Sequence, residues 1–272
     1  MAEKGKVYII GAGPGDPGLI TLRGAACIGK ADVIIYDHLV SPEILRHAGR
    51  KARRIYAGKQ GGDHTLSQQQ INRLLVEEAG RGNIVARLKG GDPFIFGRGG
   101  EEAEALRDQG IPFEIVPGVT SAVAVPAYAG IPLTHRNHTS TVAFVTGHED
   151  PTKETSDIDW TALAGIGTLV FLMGMKNLPA ITENLIRCGK PSETPAALIR
   201  RGTTAEQETL TGTLREIAQK AVERHFPPPA VLVVGGVAGL REEMNWFETM
   251  PLFGRGVVIT RPEAQAETFA DL

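Results

Sequence analysis

The sequence predicts an α/β protein built from two α/β domains, and three observations carry that prediction. Short β-rich runs at residues 7–10, 33–36, 54–57, 84–88 and 113–116 alternate with longer helical patterns through the first half. Alternation of this kind builds a mainly parallel sheet with helices on both faces. A turn-rich segment, AGIPLTHRNHTS at 129–140, then precedes a fresh strand pattern at 141–146 and marks a domain boundary. Finally, the runs at 196–199 and 207–211 are joined through RRGTTAE, the pattern of an antiparallel hairpin, so the second sheet is expected to be mixed. The expected domains are 1–134, mainly parallel, and 135–250, mixed, followed by a linker and the stub of a further domain at 251–272.

Composition narrows the function classes. A chain of 272 residues that is 42% hydrophobic can bury two real cores. Its net charge of −2 gives no general attraction to nucleic acid or membrane, so a small-molecule partner is expected. Two cysteines, Cys27 and Cys188, are too few for a disulfide framework or a cysteine metal site. The opening MAEKGKVYIIGAG has a short apolar run that turns straight into glycine, unlike a signal peptide or a membrane span, and the expected location is the cytoplasm.

In chain order, the first strand leads into GAGPGDPG at 11–18, and the second ends at Asp37. The third leads into YAGKQGG, which contains Lys59. Ser67 and Gln70 form a capping box ahead of the apolar positions Ile71, Leu74 and Leu75, and Gly80 and Gly82 end that helix. The fourth strand runs into LKGGDPFIFGRGGEE at 88–102, and the fifth into PGVTSAVAVPAYAGIPLTHR at 117–136. In the second half, strands are expected at 168–172 and 230–234 besides the hairpin, with helices at 177–187 and 214–224. FPPPA at 226–230 is a rigid entry into the last strand, and VVITRPEAQAETFADL at 257–272 reads as a new strand and the first turns of a helix.

The chemistry gathers at one sheet edge. Gly90 and Gly91 fall at the carboxyl end of a buried strand, where open α/β sheets hold their ligands, and glycine lets the backbone approach closely. Asp92 adds an acceptor, Lys89 and Arg98 add positive charge, and a helix opening over residues 99–102 adds N–H donors. GAGPGDPG is a partial match to a dinucleotide fingerprint, but Asp16 stands where the third glycine is due and two prolines stretch the loop. Asp37 reads either as a general base or as a capping or solvated acid, and Lys59 either as an anion or proton site or as a solvated lysine. Thr120 and Ser121 open a small-residue helix, as ligand contacts or as a cap. Met173 ends a strand beside Gly174, as core filler or at a close backbone approach. His135 and His138 have the spacing of a metal pair without a third ligand, and no metal is expected. No G-x-S-x-G elbow, P-loop, H-E-x-x-H or C-x-x-C is present.

Taken in order, GAGPGDPGLITLRG, VIIYDHLVSPE, LKGGDPFIFGRGGEE, PGVTSAVAVPAYAGIPLTHR and LVFLMGM resemble the tetrapyrrole methylase family, over residues 6 to about 247. GGDPFIFGRGGEE and IPLTHR point to the branch that acts on uroporphyrinogen III. The resemblance implies a cleft between two α/β domains, with S-adenosyl-L-methionine as methyl donor and S-adenosyl-L-homocysteine as product. It implies two methylations of uroporphyrinogen III, giving precorrin-2 on the way to sirohaem and cobalamin. By the family's pattern, Pro14, Gly90, Gly91, Asp92, Ile95, Thr120, Ser121, Met173 and Gly202 contact the donor. Asp37 matches the proton acceptor, Lys59 the proton donor, and Arg98 and Met173 the substrate contacts. Because that substrate carries a carboxylate on every side arm, Arg23, Arg87, Lys89 and Arg136 are expected to join Arg98 in an anion-binding field. A homodimer without nucleic-acid or membrane partners is implied as well. The tail VVITRPEAQAETF resembles the opening strand of uroporphyrinogen-III synthase. Another precorrin methylase, an NAD-dependent oxidoreductase and a non-catalytic sensor of S-adenosylmethionine stand as alternatives.

Overall fold

A computed structural model describes residues 4–58, 66–148 and 157–262. Its first sheet comprises β1 (Lys6–Gly11), β2 (Val33–Tyr36), β3 (Arg53–Tyr56), β4 (Ile84–Lys89) and β5 (Phe113–Val116), in the order β3-β2-β4-β1-β5. Every neighbouring pair is parallel, as the alternating pattern predicts. Side chains alternate across such a sheet. Val7, Ile9, Val33, Ile35 and Val85 therefore face α2 (Gln68–Gly80) and α3 (Gly99–Asp108), while Ile10, Ile34, Ala86 and Leu88 face α1 (Leu22–Gly29).

Local signals set the helix ends. Ser67 Oγ accepts from Gln70 N–H, and the Gln70 side chain accepts from Ser67 N–H at 2.7 Å, so the expected capping box starts α2. Gly82, at φ +87°, follows its C-cap. Ser67→Ala is expected to lower stability by about 1 kcal/mol, read from chemical denaturation, because the Gln70 N–H loses its acceptor and the reciprocal box is broken.

The second sheet comprises β6 (Val142–Thr146), β7 (Thr168–Leu172), β8 (Pro195–Arg200), β9 (Glu208–Thr213) and β10 (Ala230–Val234), in the order β6-β7-β10-β8-β9. Only β6 and β7 are parallel; β8 and β9 form the expected hairpin, and the sheet is mixed. One face, with Leu169, Phe171 and Leu198, is covered by α5 (Leu178–Arg187) and α6 (Ile217–Glu223). The other face, with Val170, Ala197, Ile199, Val231 and Val233, packs on Ala122 and Val125 of α4 (Ser121–Tyr128) and on Ile131 just beyond it. Helix α4 thus leaves the first sheet and buries its side chains on the second. Its sequence, SAVAVPAY, is apolar nearly all round, as a helix enclosed on several sides requires. Burying a side chain the size of Val125 or Ile131 contributes about 1.5–3 kcal/mol, so this contact binds the two halves firmly.

The strand expected from residue 257 is not formed. Residues 255–260 have no regular structure, and Val257 and Val258 are 68% and 87% exposed. A strand needs a hydrogen-bonded neighbour, and neither sheet supplies one there. The helix expected after it falls largely on residues outside those described. No helix among the described residues is long and apolar enough to cross a membrane.

Candidate active site

At the carboxyl end of the first sheet, the loops after β1 and β4 bond to each other. Gly13 N–H donates to Gly91 O at 3.2 Å, and Gly91 N–H donates to Gly13 O at 2.7 Å. Gly91 lies at φ +68°, where a Cβ would be strained. The close approach extends to the loop after β5: a Cβ on Gly118 would lie 2.4 Å from Gly91 O and 2.6 Å from the Gly11 backbone. These loops meet backbone to backbone, which explains the glycines at 11 and 118. GAGPGDPG consequently does not open a helix as a dinucleotide loop does. The Asp16 carboxylate accepts from Gly18 N–H and caps one short turn, Pro17–Leu19, and α1 begins only at Leu22 with Thr21 as its cap.

Between this loop cluster and the second sheet lies a cavity of about 350 Å³. Pro14, Asp37, Gly90, Gly91, Ile95, Arg98, Ser121, Met173 and Gly202, all singled out in the sequence, border it together. Two other expected donor contacts, Asp92 and Thr120, do not line it, and their side chains serve the backbone. Asp92 Oδ1 accepts from Phe94 N–H at 2.8 Å and Oδ2 from Gly118 N–H at 3.0 Å. Thr120 Oγ1 caps α4 by accepting from Ala122 N–H. Lys59 lies outside the described residues. The sequence reading did not single out Leu39, Phe96, Val125, Arg201 or residues 229–231, which complete the walls.

The floor of the site is charged. Asp37 Oδ1 accepts from Leu39 N–H at 3.0 Å, and its Oδ2 lies 3.7 Å from the Arg87 guanidinium. Arg87 and Lys89 project from β4 toward α3, where the fully buried Glu102 meets both. Of the expected anion-binding field, Arg98 and Lys89 border the cavity. Arg87 is buried beneath it, Arg23 pairs with Glu114, and Arg136 is not among the lining residues.

Residues 6–218 match the family model of the tetrapyrrole (corrin/porphyrin) methylases. The chain belongs to the tetrapyrrole methylase family. It is 54% identical over 239 residues to the S-adenosyl-L-methionine-dependent uroporphyrinogen III methyltransferase of Methanosarcina barkeri, covering 88% of this chain and 94% of that protein. It is also 52% identical over 245 residues to a siroheme synthase of Pseudomonas aeruginosa, covering 90% of this chain and 52% of that protein. The chain thus spans about half the length of the siroheme synthases it matches. Its fold superposes with a TM-score of 0.74 and 38% identity on a uroporphyrin-III C-methyl transferase of Thermus thermophilus complexed with S-adenyl homocysteine, covering 87% of this chain and 100% of that one.

In this tetrapyrrole methylase family member, the two halves also clasp across the cavity. Tyr128 OH donates to Asp16 Oδ2 at 2.6 Å, and Asp16 N–H donates to Thr203 Oγ1 at 3.1 Å. The first glycine loop is thereby tied to α4 and to the tip of the β8–β9 hairpin, where Gly202 sits so close to Val125 that a Cβ would lie 2.5 Å from it. Burial, with the Asp16 contact second, pushes the Tyr128 phenol up to about 12. The family member's cavity wall is also strained. Phe96, Arg98, Met173 and Arg201 border it with φ of +53°, +59°, +58° and +44°, values that side-chain-bearing residues rarely adopt. Arg98 donates through Nε and Nη2 to Glu101 at 2.7 Å each, and this contact holds the Glu101 carboxyl below its usual range.

Proposed function

We propose that this protein is an S-adenosyl-L-methionine-dependent C-methyltransferase that methylates uroporphyrinogen III twice to give precorrin-2, on the way to sirohaem or cobalamin. The observation that carries the reading is the gathering of nine expected site residues, from Pro14 to Gly202, around one cavity of about 350 Å³. The close relation to a methyltransferase of that substrate supports it. The cavity suits the donor. Its volume lies in the range of small-molecule sites, its walls are mostly apolar, and Gly91, at φ +68°, lines it without a side chain. Pro14, Gly90, Gly91, Ile95, Ser121, Met173 and Gly202 would hold the donor, with Asp92 and Thr120 fixing the loops that carry them. Arg98 and Met173 would meet the tetrapyrrole.

An electron-rich pyrrole carbon is already a nucleophile, so the protein's task is to align it behind the methyl group and exclude water. The methyl–carbon bond forms as the carbon–sulfur bond breaks, S-adenosyl-L-homocysteine is left, and the ring sheds a proton. Asp37, whose carboxylate is oriented by Leu39 N–H and Arg87, is the proposed acceptor, and Lys59 the proposed donor for the return step. The same reading gives a cytoplasmic homodimer.

The test is anaerobic incubation with S-adenosylmethionine and uroporphyrinogen III, followed by mass analysis. Gain of two methyl groups is expected; no gain, with the donor shown to bind, would move the assignment to another tetrapyrrole. Asp37→Ala is expected to slow turnover about 10²–10⁴-fold while leaving donor affinity near that of the native protein. Equal losses in both would remove Asp37 from the proton step.

A further inference from the structure

The end of β4 carries two cations into the protein interior. Arg87 and Lys89 are 2% and 4% exposed, and residues two apart on a strand share a face, so both reach Glu102 of α3. Glu102 Oε1 alone accepts from Lys89 Nζ at 2.7 Å, Arg87 Nε at 3.1 Å and Gln68 Nε2 of α2 at 3.2 Å. Its buried Oε2 has no hydrogen-bond partner among the described residues. Asp37, just past β2, lies 3.7 Å from Arg87. Arg98 and Glu101, at the start of α3, pair with each other, and Glu101 feels the Lys89 charge.

Of the two buried cations, Lys89 is the one that borders the cavity. Its bond to Glu102 uses one of an ammonium's three donors. Burial first, and then Arg87, hold the Lys89 ammonium below its usual range, against the pull of Glu102 and Asp37. A second cation brought into the cavity beside this buried ammonium would repel it further.

We propose that Lys89 holds the charge of the cavity constant: it releases its proton when a sulfonium donor enters and recovers one as the sulfonium becomes a neutral thioether. This rests on the reading above, in which the donor is S-adenosylmethionine. The atoms balance. The ring carbon's electron pair forms the new bond to methyl, and the carbon–sulfur pair stays on sulfur. The ring, left cationic, gives a proton to Asp37, which releases it to solvent and returns to carboxylate, and the Lys89 amine takes up one proton in its place. One positive charge, sulfonium or ammonium, occupies the cavity before and after.

The test is calorimetric titration of the protein with S-adenosylmethionine and with S-adenosylhomocysteine, each in two buffers of different ionisation enthalpy. Proton release approaching one per site, rising as pH falls below the free Lys89 value, is expected with S-adenosylmethionine and none with S-adenosylhomocysteine. Lys89→Met should abolish the release. Lys89→Arg, which keeps a fixed cation, should also abolish it and weaken S-adenosylmethionine relative to S-adenosylhomocysteine about a hundredfold, the equivalent of about two pKa units of coupling. Binding of both ligands with equal release, with no release, or with release that persists in Lys89→Met would overturn the proposal. If neither ligand binds the native protein, the donor reading falls and this inference falls with it.

Discussion

Glu102→Ala is expected to lower stability by about 3–5 kcal/mol, because it strands two buried cations around one lost carboxylate. Arg87 retains Asp37 at 3.7 Å, but Lys89 loses its only direct hydrogen bond to a side chain among the described residues. The desolvation of Lys89 then stands without that compensation, and that of Arg87 is offset only in part. Urea denaturation would measure the loss. Glu101→Ala, one residue earlier on α3, is the contrast: its partner Arg98 is 57% exposed, and a solvated pair contributes about 0–1 kcal/mol. A loss for Glu102→Ala as small as that for Glu101→Ala would mean that water reaches the cluster readily.

Gly118→Ala is expected to lower turnover about a hundredfold, the scale on which a displacement of about 1 Å acts at a positioned site, and to weaken donor binding with it. The added Cβ would lie 2.4 Å from Gly91 O and 2.6 Å from Gly11, and both obstacles are backbone that no rotamer change can clear. The loops after β1, β4 and β5 must part, and the mutual Gly13–Gly91 bonds go with them. A stability cost of about 1–3 kcal/mol should accompany the loss, as overpacking generally brings. Gly100→Ala is the control, since a Cβ there meets nothing within 4 Å. Turnover rates and titration calorimetry with S-adenosylmethionine would compare them, and native-like turnover and affinity in Gly118→Ala would show that the loop crossing does not shape the donor pocket.

Much of the fold was legible because its signals are local. The short buried run that sets β4, the Ser67–Gln70 box that starts α2 and the hairpin punctuated by RRGTTAE each act within a few residues. The site was legible to the extent that it uses glycine and proline at strand ends: Pro14, Gly90, Gly91 and Gly202 all border the cavity. What stayed hidden is non-local. Nothing near Asp16 announces that it will meet Tyr128 and Thr203, and the sequence alone offered it only as a misplaced residue in a nucleotide motif. Asp92 and Thr120 carry groups suited to a ligand, yet their side chains satisfy backbone N–H groups first. The walls at Leu39, Phe96 and Arg201 depend on how two sheets face each other, which no single run of residues encodes. The strand expected from residue 257 failed for a related reason: β-propensity does not make a strand without a neighbour.

The left-handed wall residues set a direction for thermal adaptation. Phe96, Arg98, Met173 and Arg201 each sit in a backbone conformation that costs about 1 kcal/mol or more with a side chain attached and far less with glycine. Selection for heat resistance alone would therefore favour glycine at these four places, while selection for a shaped pocket keeps the side chains. Relatives living at different temperatures should show the conflict there first, and a laboratory search for tougher variants that ignores turnover should erode the same wall.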